Sequence, residues 1–239
     1  MREGEERRQI VAIGGAGLSL DEGLLLPRYV LSLASATRPR VCYIGTASGD
    51  RADNREQALD TFRDLGAEPT HLSLIPNPST DDPASVLLQQ DVLWVGGGNT
   101  KNMLALWRAW GIDHLVRAAW ERGTVLAGQS AGSICWFAQG TTDSVPGRLT
   151  ALECLGFLAG SNSPHYDSEP ERRPYYRRMI GAGLMLPGLA ADDGVGLHFV
   201  GTALRRVVGS RPDAHAYRVG RGDGGATETE IVPDYLGSR

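Results

Sequence analysis

Thr124-Val-Leu-Ala-Gly128-Gln129-Ser130-Ala131-Gly132-Ser133-Ile134-Cys135-Trp136-Phe137 joins one apolar run to another through Gly-x-Ser-x-Gly. The first run reads as a buried strand, the second as the start of a helix, and the pentapeptide as the sharp turn between them. Such a turn holds its serine in a strained backbone conformation and pushes the hydroxyl out above the sheet. Gly128 and Gly132 remove side chains that would strike the neighbouring strand and helix. The helix start beneath Ser130 favours developing negative charge, and Ala131 is placed to give a backbone N–H to an oxyanion hole. The competing reading is a serine that only caps the helix it precedes. The strand before and the helix after favour the catalytic one.

Outward from this turn, short apolar runs alternate with longer amphipathic stretches. Ile10–Ile13, Val41–Ile44, Leu72–Ile75, Val92–Val95 and Thr124–Ala127 each end in a glycine or proline turn, as buried parallel strands do. Asp21–Ser35, Arg51–Leu65, Asp82–Gln90, Thr100–Trp110 and Ile112–Arg122 repeat apolar residues every three or four positions, as helices covering a sheet do. The expected fold is α/β: a mostly parallel sheet with helices on both faces, in a single domain over residues 1–239. Gly196–Val200, Leu204–Val208 and Ala216–Val219 alternate in polarity, which predicts short antiparallel strands extending one edge. The first eight residues and the tail beyond Gly220 are polar or Gly-rich and are expected to fray.

The chain is 41% hydrophobic and 22% charged with a formal net charge of −4, an ordinary globular composition with no electrostatic case for nucleic acid or an anionic membrane as partner. Met1–Ile10 lacks the apolar core of a secretory signal, and no run approaches a membrane span. Cys42, Cys135 and Cys154 are odd in number, lack Cys-x-x-Cys spacing and sit among apolar residues, which suits reduced thiols in the cytoplasm.

A second glycine loop, Gly96-Gly97-Gly98-Asn99-Thr100, follows the Val92–Val95 strand, and in an open α/β sheet such loops meet at the carboxyl ends of the strands. Gly97 or Gly98 is placed to complete the oxyanion hole, and Asn99 to hold substrate. A phosphate loop is disfavoured because the Gly-Lys-Ser/Thr order is missing, and Gly14-Gly15-Ala16-Gly17 matches only the start of a dinucleotide fingerprint. Among five histidines, His165 alone lies in a polar loop after an apolar segment; His71, His114, His198 and His215 read as structural or solvated. For a carboxylate to orient His165, Asp143, Asp192 and Asp193 remain open. Each also reads as a turn aspartate.

The combination Val95-Gly-Gly-Gly-Asn99-Thr100, Gly128-Gln-Ser130-Ala-Gly132 and Pro164-His165-Tyr166, in that order, resembles the peptidase E group of serine peptidases, which includes aspartyl dipeptidases and related cyanophycinases. The likeness runs from Ile10 to Tyr217. It implies a class I glutamine amidotransferase-like fold with serine in place of cysteine at the elbow, and no metal or organic cofactor. It also implies Ser130 as nucleophile, His165 as base and Gly98 with Ala131 as oxyanion donors. Asp193 matches the acid of cyanophycinase-like members, while Asp143 lies near the dipeptidase aspartate. Cleavage after an N-terminal aspartate needs a cation for the substrate carboxylate, and Arg172 and Arg173 are the candidates. The expected partner is a short peptide; β-aspartyl or cyanophycin-like material and a non-catalytic ligand-binding role are the alternatives. Monomer and homodimer both stay open.

Overall fold

The computed structural model describes residues 7–18 and 24–237. Strand and helix alternate as β1 (Gln9–Ile13), α1 (Leu25–Ser32), β2 (Arg40–Ile44), α2 (Ala52–Asp64), β3 (Glu68–Leu72), α3 (Pro83–Leu87), β4 (Val92–Val95), α4 (Thr100–Trp110), α5 (Ile112–Glu121) and β5 (Val125–Gln129). β1, β5, β4, β2 and β3 lie side by side in that order, all parallel. Successive side chains of a strand point to opposite faces, and the apolar runs divide accordingly. Ile10, Ala12, Leu93, Val95 and Leu126 join Met103, Trp107, Val116 and Trp120 of α4 and α5. Val11, Ile13, Val92, Trp94 and Val125 join Leu26 and Val30 of α1 and Phe62 of α2. Burial on both faces is why these strands carry no polar alternation.

The expected helices Arg51–Leu65, Thr100–Trp110 and Ile112–Arg122 match to within a residue at either end, whereas Asp82–Gln90 contracts to α3. Of the helix expected over Asp21–Ser35, positions 21–23 lie outside the described residues. The strand expected at Leu72–Ile75 instead occupies β3, at the sheet edge. An edge strand tolerates Pro69. Beyond it the Leu74 and Ile75 N–H groups donate to the Asp50 carboxylate at 2.6 and 2.9 Å, so this apolar run is satisfied without a neighbouring strand.

After β5 a single helical turn, α6 (Ala131–Ile134), leads into β6 (Phe137–Val145), β7 (Arg148–Glu153) and β8 (Leu158–Ser163), followed by α7 (Arg172–Gly181) and β9 (Gly188–Ala191). The chain then returns to the first sheet. β10 (Val195–Val200) runs antiparallel to β1, and β11 (Ala203–Gly209) antiparallel to β10. β12 (Ala216–Gly222) and β13 (Gly225–Ile231) go back to the second sheet, and β14 (Asp234–Tyr235) ends on β11. Among the described residues the first sheet thus has eight strands, β14-β11-β10-β1-β5-β4-β2-β3, and the second six, β13-β12-β9-β8-β6-β7.

Three expectations are corrected here. The fold holds two mixed sheets rather than one mostly parallel sheet, and the run Ala216–Val219 belongs to the second of them. The tail beyond Gly220 is a paired strand, joined to β12 through Asp223-Gly224. The helix after Ser130 is four residues long, because the chain turns into β6 at Phe137. The sheets share one core: Ile10 and Leu126 from the first lie in the same buried cluster as Phe137, Leu158, Leu189 and Ala216 from the second. No helix among the described residues is long and apolar enough to cross a membrane.

Candidate active site

Three consecutive carbonyls at the end of β1 organise the crevice. Ile13 O accepts from Ser130 N at 3.1 Å, Gly14 O from His165 N at 3.2 Å, and Gly15 O from Gly194 N at 3.2 Å. Segments far apart in the chain are thereby fastened to one short stretch of backbone. Gly15 is packed against the result: a Cβ there would lie 1.9 Å from Asp193 Oδ1 and 2.5 Å from His165 Nδ1.

Ser130 sits between β5 and α6 with φ 54° and ψ −110°. For a non-glycine residue this conformation costs about 1–3 kcal/mol and persists only when its surroundings over-determine it. Here the surroundings are tight, since a Cβ on Gly132 would lie 2.2 Å from Val95 O. One helical turn carries little macrodipole, so the field at Ser130 comes from local N–H groups: Ala131 opens the turn, and its N–H has no intrahelical acceptor. The loop after β4 faces the serine, with Gly97 so near that a Cβ on it would sit 3.3 Å from Ser130 Cβ. Gly98 is exposed with φ 134°.

His165 also has a positive φ, 51°. Its Nδ1 lies 2.7 Å from Asp193 Oδ1, and both side chains are about one-fifth exposed, at 21% and 19%. A carboxylate only accepts, so Nδ1 carries a proton, and in the neutral imidazole Nε2 is the nitrogen with the lone pair. Asp193 is held in turn by its N–H on Asp167 Oδ1, 2.9 Å, and by its carbonyl accepting from Arg211 Nη1, 3.2 Å. Burial pushes the Asp193 carboxyl up, but the hydrogen bond and charge of His165, with Ser168 and Arg211, outweigh it and hold the group below its ordinary value. The Ser130 hydroxyl has no hydrogen-bond partner among the described residues. Such links commonly tighten only when substrate binds.

The other expected site residues are placed differently. Asp143 is exposed on β6 and faces Arg172 at 3.8 Å, whereas the carboxylate on His165 is that of Asp193. Asp192 is buried and accepts from His215 N at 2.9 Å; burial pushes its carboxyl up to about 6. Asn99 has both ends of its amide engaged, Oδ1 capping α4 at Asn102 N and Nδ2 donating to Ser144 O, so it ties the loop to α4 and β6. Arg172 is 2% exposed and bonds Glu169 at 2.6 Å and Thr141 O at 2.8 Å, so it ties α7 to β6 and has no free face for substrate. Arg173 stays half-exposed, its Nε donating to Glu228 at 3.1 Å and its guanidinium lying over the Tyr166 and Tyr217 rings.

Gly14-Gly15, Asp167, Ser168, Arg211 and Glu228 are the site's supports that sequence reasoning missed. Glycines directly after the first strand were the available signal, weighed only as the start of a nucleotide fingerprint and set aside. Among the described residues no group of His, Cys, Asp or Glu is arranged to hold a metal ion.

The chain, with a strained serine at a strand-to-helix elbow above the carboxyl end of a parallel sheet, is by its family a serine-type peptidase. The chain belongs to peptidase family S51, which residues 10–207 match. It is 46% identical over 231 residues to the uncharacterized peptidase YgaJ of Bacillus subtilis (strain 168), covering 96% of this chain and 100% of that one. Two crystal structures share the fold. A peptidase from an acI-B1 Actinobacterium superposes with TM-score 0.65 at 17% identity over 94% of each chain. A putative peptidase E protein from Listeria monocytogenes EGD-e does so with TM-score 0.60 at 18% identity, over 84% of this chain and 96% of that one.

Proposed function

We propose that this peptidase hydrolyses short peptides, dipeptides with an N-terminal aspartate foremost, through a triad of Ser130, His165 and Asp193. The observation that carries the reading is the 2.7 Å contact from His165 Nδ1 to Asp193, anchored to the same β1 carbonyls as the elbow serine. His165 Nε2 takes the Ser130 proton as Oγ attacks the peptide carbonyl, and returns it to the leaving amine; water then hydrolyses the acyl-enzyme. Gly98 and Ala131 N–H groups receive the oxyanion. With Arg172 buried and engaged, half-exposed Arg173 is the cation left for the aspartate side chain. The same reading treats the first sheet as class I glutamine amidotransferase-like, with serine where those enzymes carry cysteine. It also keeps the chain as one domain and, on its three free thiols, in the cytoplasm.

The test is hydrolysis of Asp-Leu and of an aspartyl p-nitroanilide by the wild type and by Ser130→Ala, with Leu- and Arg-led controls. Aspartate-selective turnover that falls by at least about 10⁴-fold in the variant is the expected result. Turnover that survives the substitution removes Ser130 from the mechanism, and turnover with no aspartate preference removes the proposed specificity.

A further inference from the structure

The histidine and its carboxylate stand on different loops, His165 between β8 and α7 and Asp193 between β9 and β10. Their 2.7 Å contact therefore depends on what holds one loop against the other. Just past the histidine, the Asp167 carboxylate spans that gap. Its Oδ1 accepts the Asp193 N–H at 2.9 Å, and its Oδ2 accepts from Arg211 Nη1 at 2.8 Å. The same nitrogen donates to the Asp193 carbonyl at 3.2 Å, which closes a ring. Asp193 is gripped at its N–H by Asp167 and at its C=O by Arg211, and the two grips are joined to each other.

Arg211 comes from a third segment, past the end of β11, and its stem is itself located. Gly194 has φ 78°, and a Cβ there would lie 2.9 Å from Ser210 Oγ and 3.2 Å from Arg211 Cδ. Ser210 N donates to Gly194 O at 2.8 Å, and Asp213 faces Arg211 Nε at 3.5 Å. The ring needs these residue types. A carboxylate offers an acceptor on each side, whereas an asparagine offers an acceptor on one side and a donor on the other. A guanidinium presents its donors in a fixed plane, whereas lysine is a point charge on a flexible stem. Both side chains are partly exposed, at 28% and 40%, so as an ion pair alone they add little to stability. Their effect is positional: with its main chain held at both ends, Asp193 has only its side-chain torsions left to aim the carboxylate at His165.

We propose that Asp167 and Arg211 are positioning residues of this peptidase, which lock the histidine loop to the aspartate loop and act on turnover through Asp193. The proposal rests on the triad reading above. It requires that removing either residue costs kcat while Asp193 is present and nothing once Asp193 is gone.

The experiment is a double-mutant cycle. Asp-Leu hydrolysis is measured for the wild type, Asp167→Ala, Arg211→Ala, Arg211→Lys and Asp193→Ala, and for each of the first two combined with Asp193→Ala, with circular dichroism confirming the fold. Expected are a fall of about 10²-fold in kcat at nearly constant KM for Asp167→Ala and Arg211→Ala, partial recovery in Arg211→Lys, and no further loss on top of Asp193→Ala. Losses that multiply with that of Asp193→Ala overturn the proposal. Wild-type kcat in Asp167→Ala and Arg211→Ala beside a crippled Asp193→Ala also overturns it and leaves the triad reading intact. Wild-type kcat in Asp193→Ala sinks the triad reading and the proposal with it. Should Asp167→Ala unfold, Asp167→Asn, which keeps one acceptor, takes its place. Nitrogen NMR of the neutral His165 ring, assigned with His165→Gln, supplies a readout without substrate. The wild type should hold its proton on Nδ1, and Asp193→Ala and Asp167→Ala should both let it spread to Nε2. An Nδ1 proton undisturbed in Asp167→Ala and Arg211→Ala overturns the proposal whatever the rates.

Discussion

At the scale of single residues, Gly15 has no room for a side chain. Its Cα faces both members of the His165–Asp193 pair, and a methyl group there would overlap Asp193 Oδ1 at 1.9 Å. Gly15→Ala should leave the strand in place, since its neighbours carry the β1 ladder, yet push the pair apart. Displacement by about an ångström is worth about 10²-fold, so kcat should fall by at least that much while the far-UV circular dichroism stays unchanged. Wild-type turnover in this variant would show that the pair is not needed in its observed geometry. Ser130 and His165 stand out in the sequence because each has a local signature: a strand, a glycine turn and a helix start for one, a polar loop for the other. Choosing among Asp143, Asp192 and Asp193 was not legible. All three are turn-compatible aspartates, and what separates them is which groups they meet across the fold: the Arg172 guanidinium, the His215 N–H and the His165 ring.

At the scale of elements, the parallel strands and their helices were readable because burial on both faces writes continuous apolar runs. The second sheet was not readable, since β6 and β8 are built from Gly-Thr-Thr-Asp and Gly-Ser-Asn-Ser, whose polar atoms find their partners only across the fold. Thr141 Oγ1 donates to Ser163 Oγ at 2.7 Å, and Ser133 Oγ to Asn162 Oδ1 at 2.9 Å. The β12–β13 hairpin did leave a signal, Asp223-Gly224 between alternating residues, which the surrounding glycines masked. Arg172 is the pin between α7 and this sheet. Arg172→Met should lower stability by about 2–4 kcal/mol, the usual cost of stranding a buried ion pair and its hydrogen bonds, with KM for an aspartyl substrate unaltered in the folded fraction. Urea unfolding and initial rates test the two halves separately. A raised KM with normal stability would restore Arg172 as a substrate ligand.

At the scale of the whole molecule, two buried groups set opposing pH dependences. Burial raises the Asp192 carboxyl from 3.8 to about 6 and lowers the His198 imidazole from 6.5 to about 4. His198 is held neutral, with Nε2 3.0 Å from Gln9 Oε1 and Nδ1 2.7 Å from the Tyr29 hydroxyl. The folded state binds extra protons at Asp192 between its ordinary and raised values, so a penalty present at neutral pH is relieved as pH falls through about 6 toward 4. For His198 the folded state binds fewer, so stability present above about pH 6.5 is lost over the same window. Asp192→Asn, which keeps an acceptor for His215 N, should be about 2–3 kcal/mol more stable than wild type at pH 8. It should then lose that margin between about pH 6.5 and 4. Urea midpoints at pH 8, 6 and 4.5 check this, and a constant margin would mean that Asp192 titrates normally.

The three β1 carbonyls also bear on how the chain comes off the ribosome. A polypeptide is made from its amino end, and the elbow is complete in sequence by Gly132, whereas the carbonyl of Gly15 waits for Gly194 and β1 waits for β10. A nascent chain can form the parallel strands and expose its serine long before Asp193 has been synthesised. On the proposed triad, the elbow serine is made well before the carboxylate that orients its base, so the His165–Asp193 pair forms only after Asp193 and Gly194 have been synthesised.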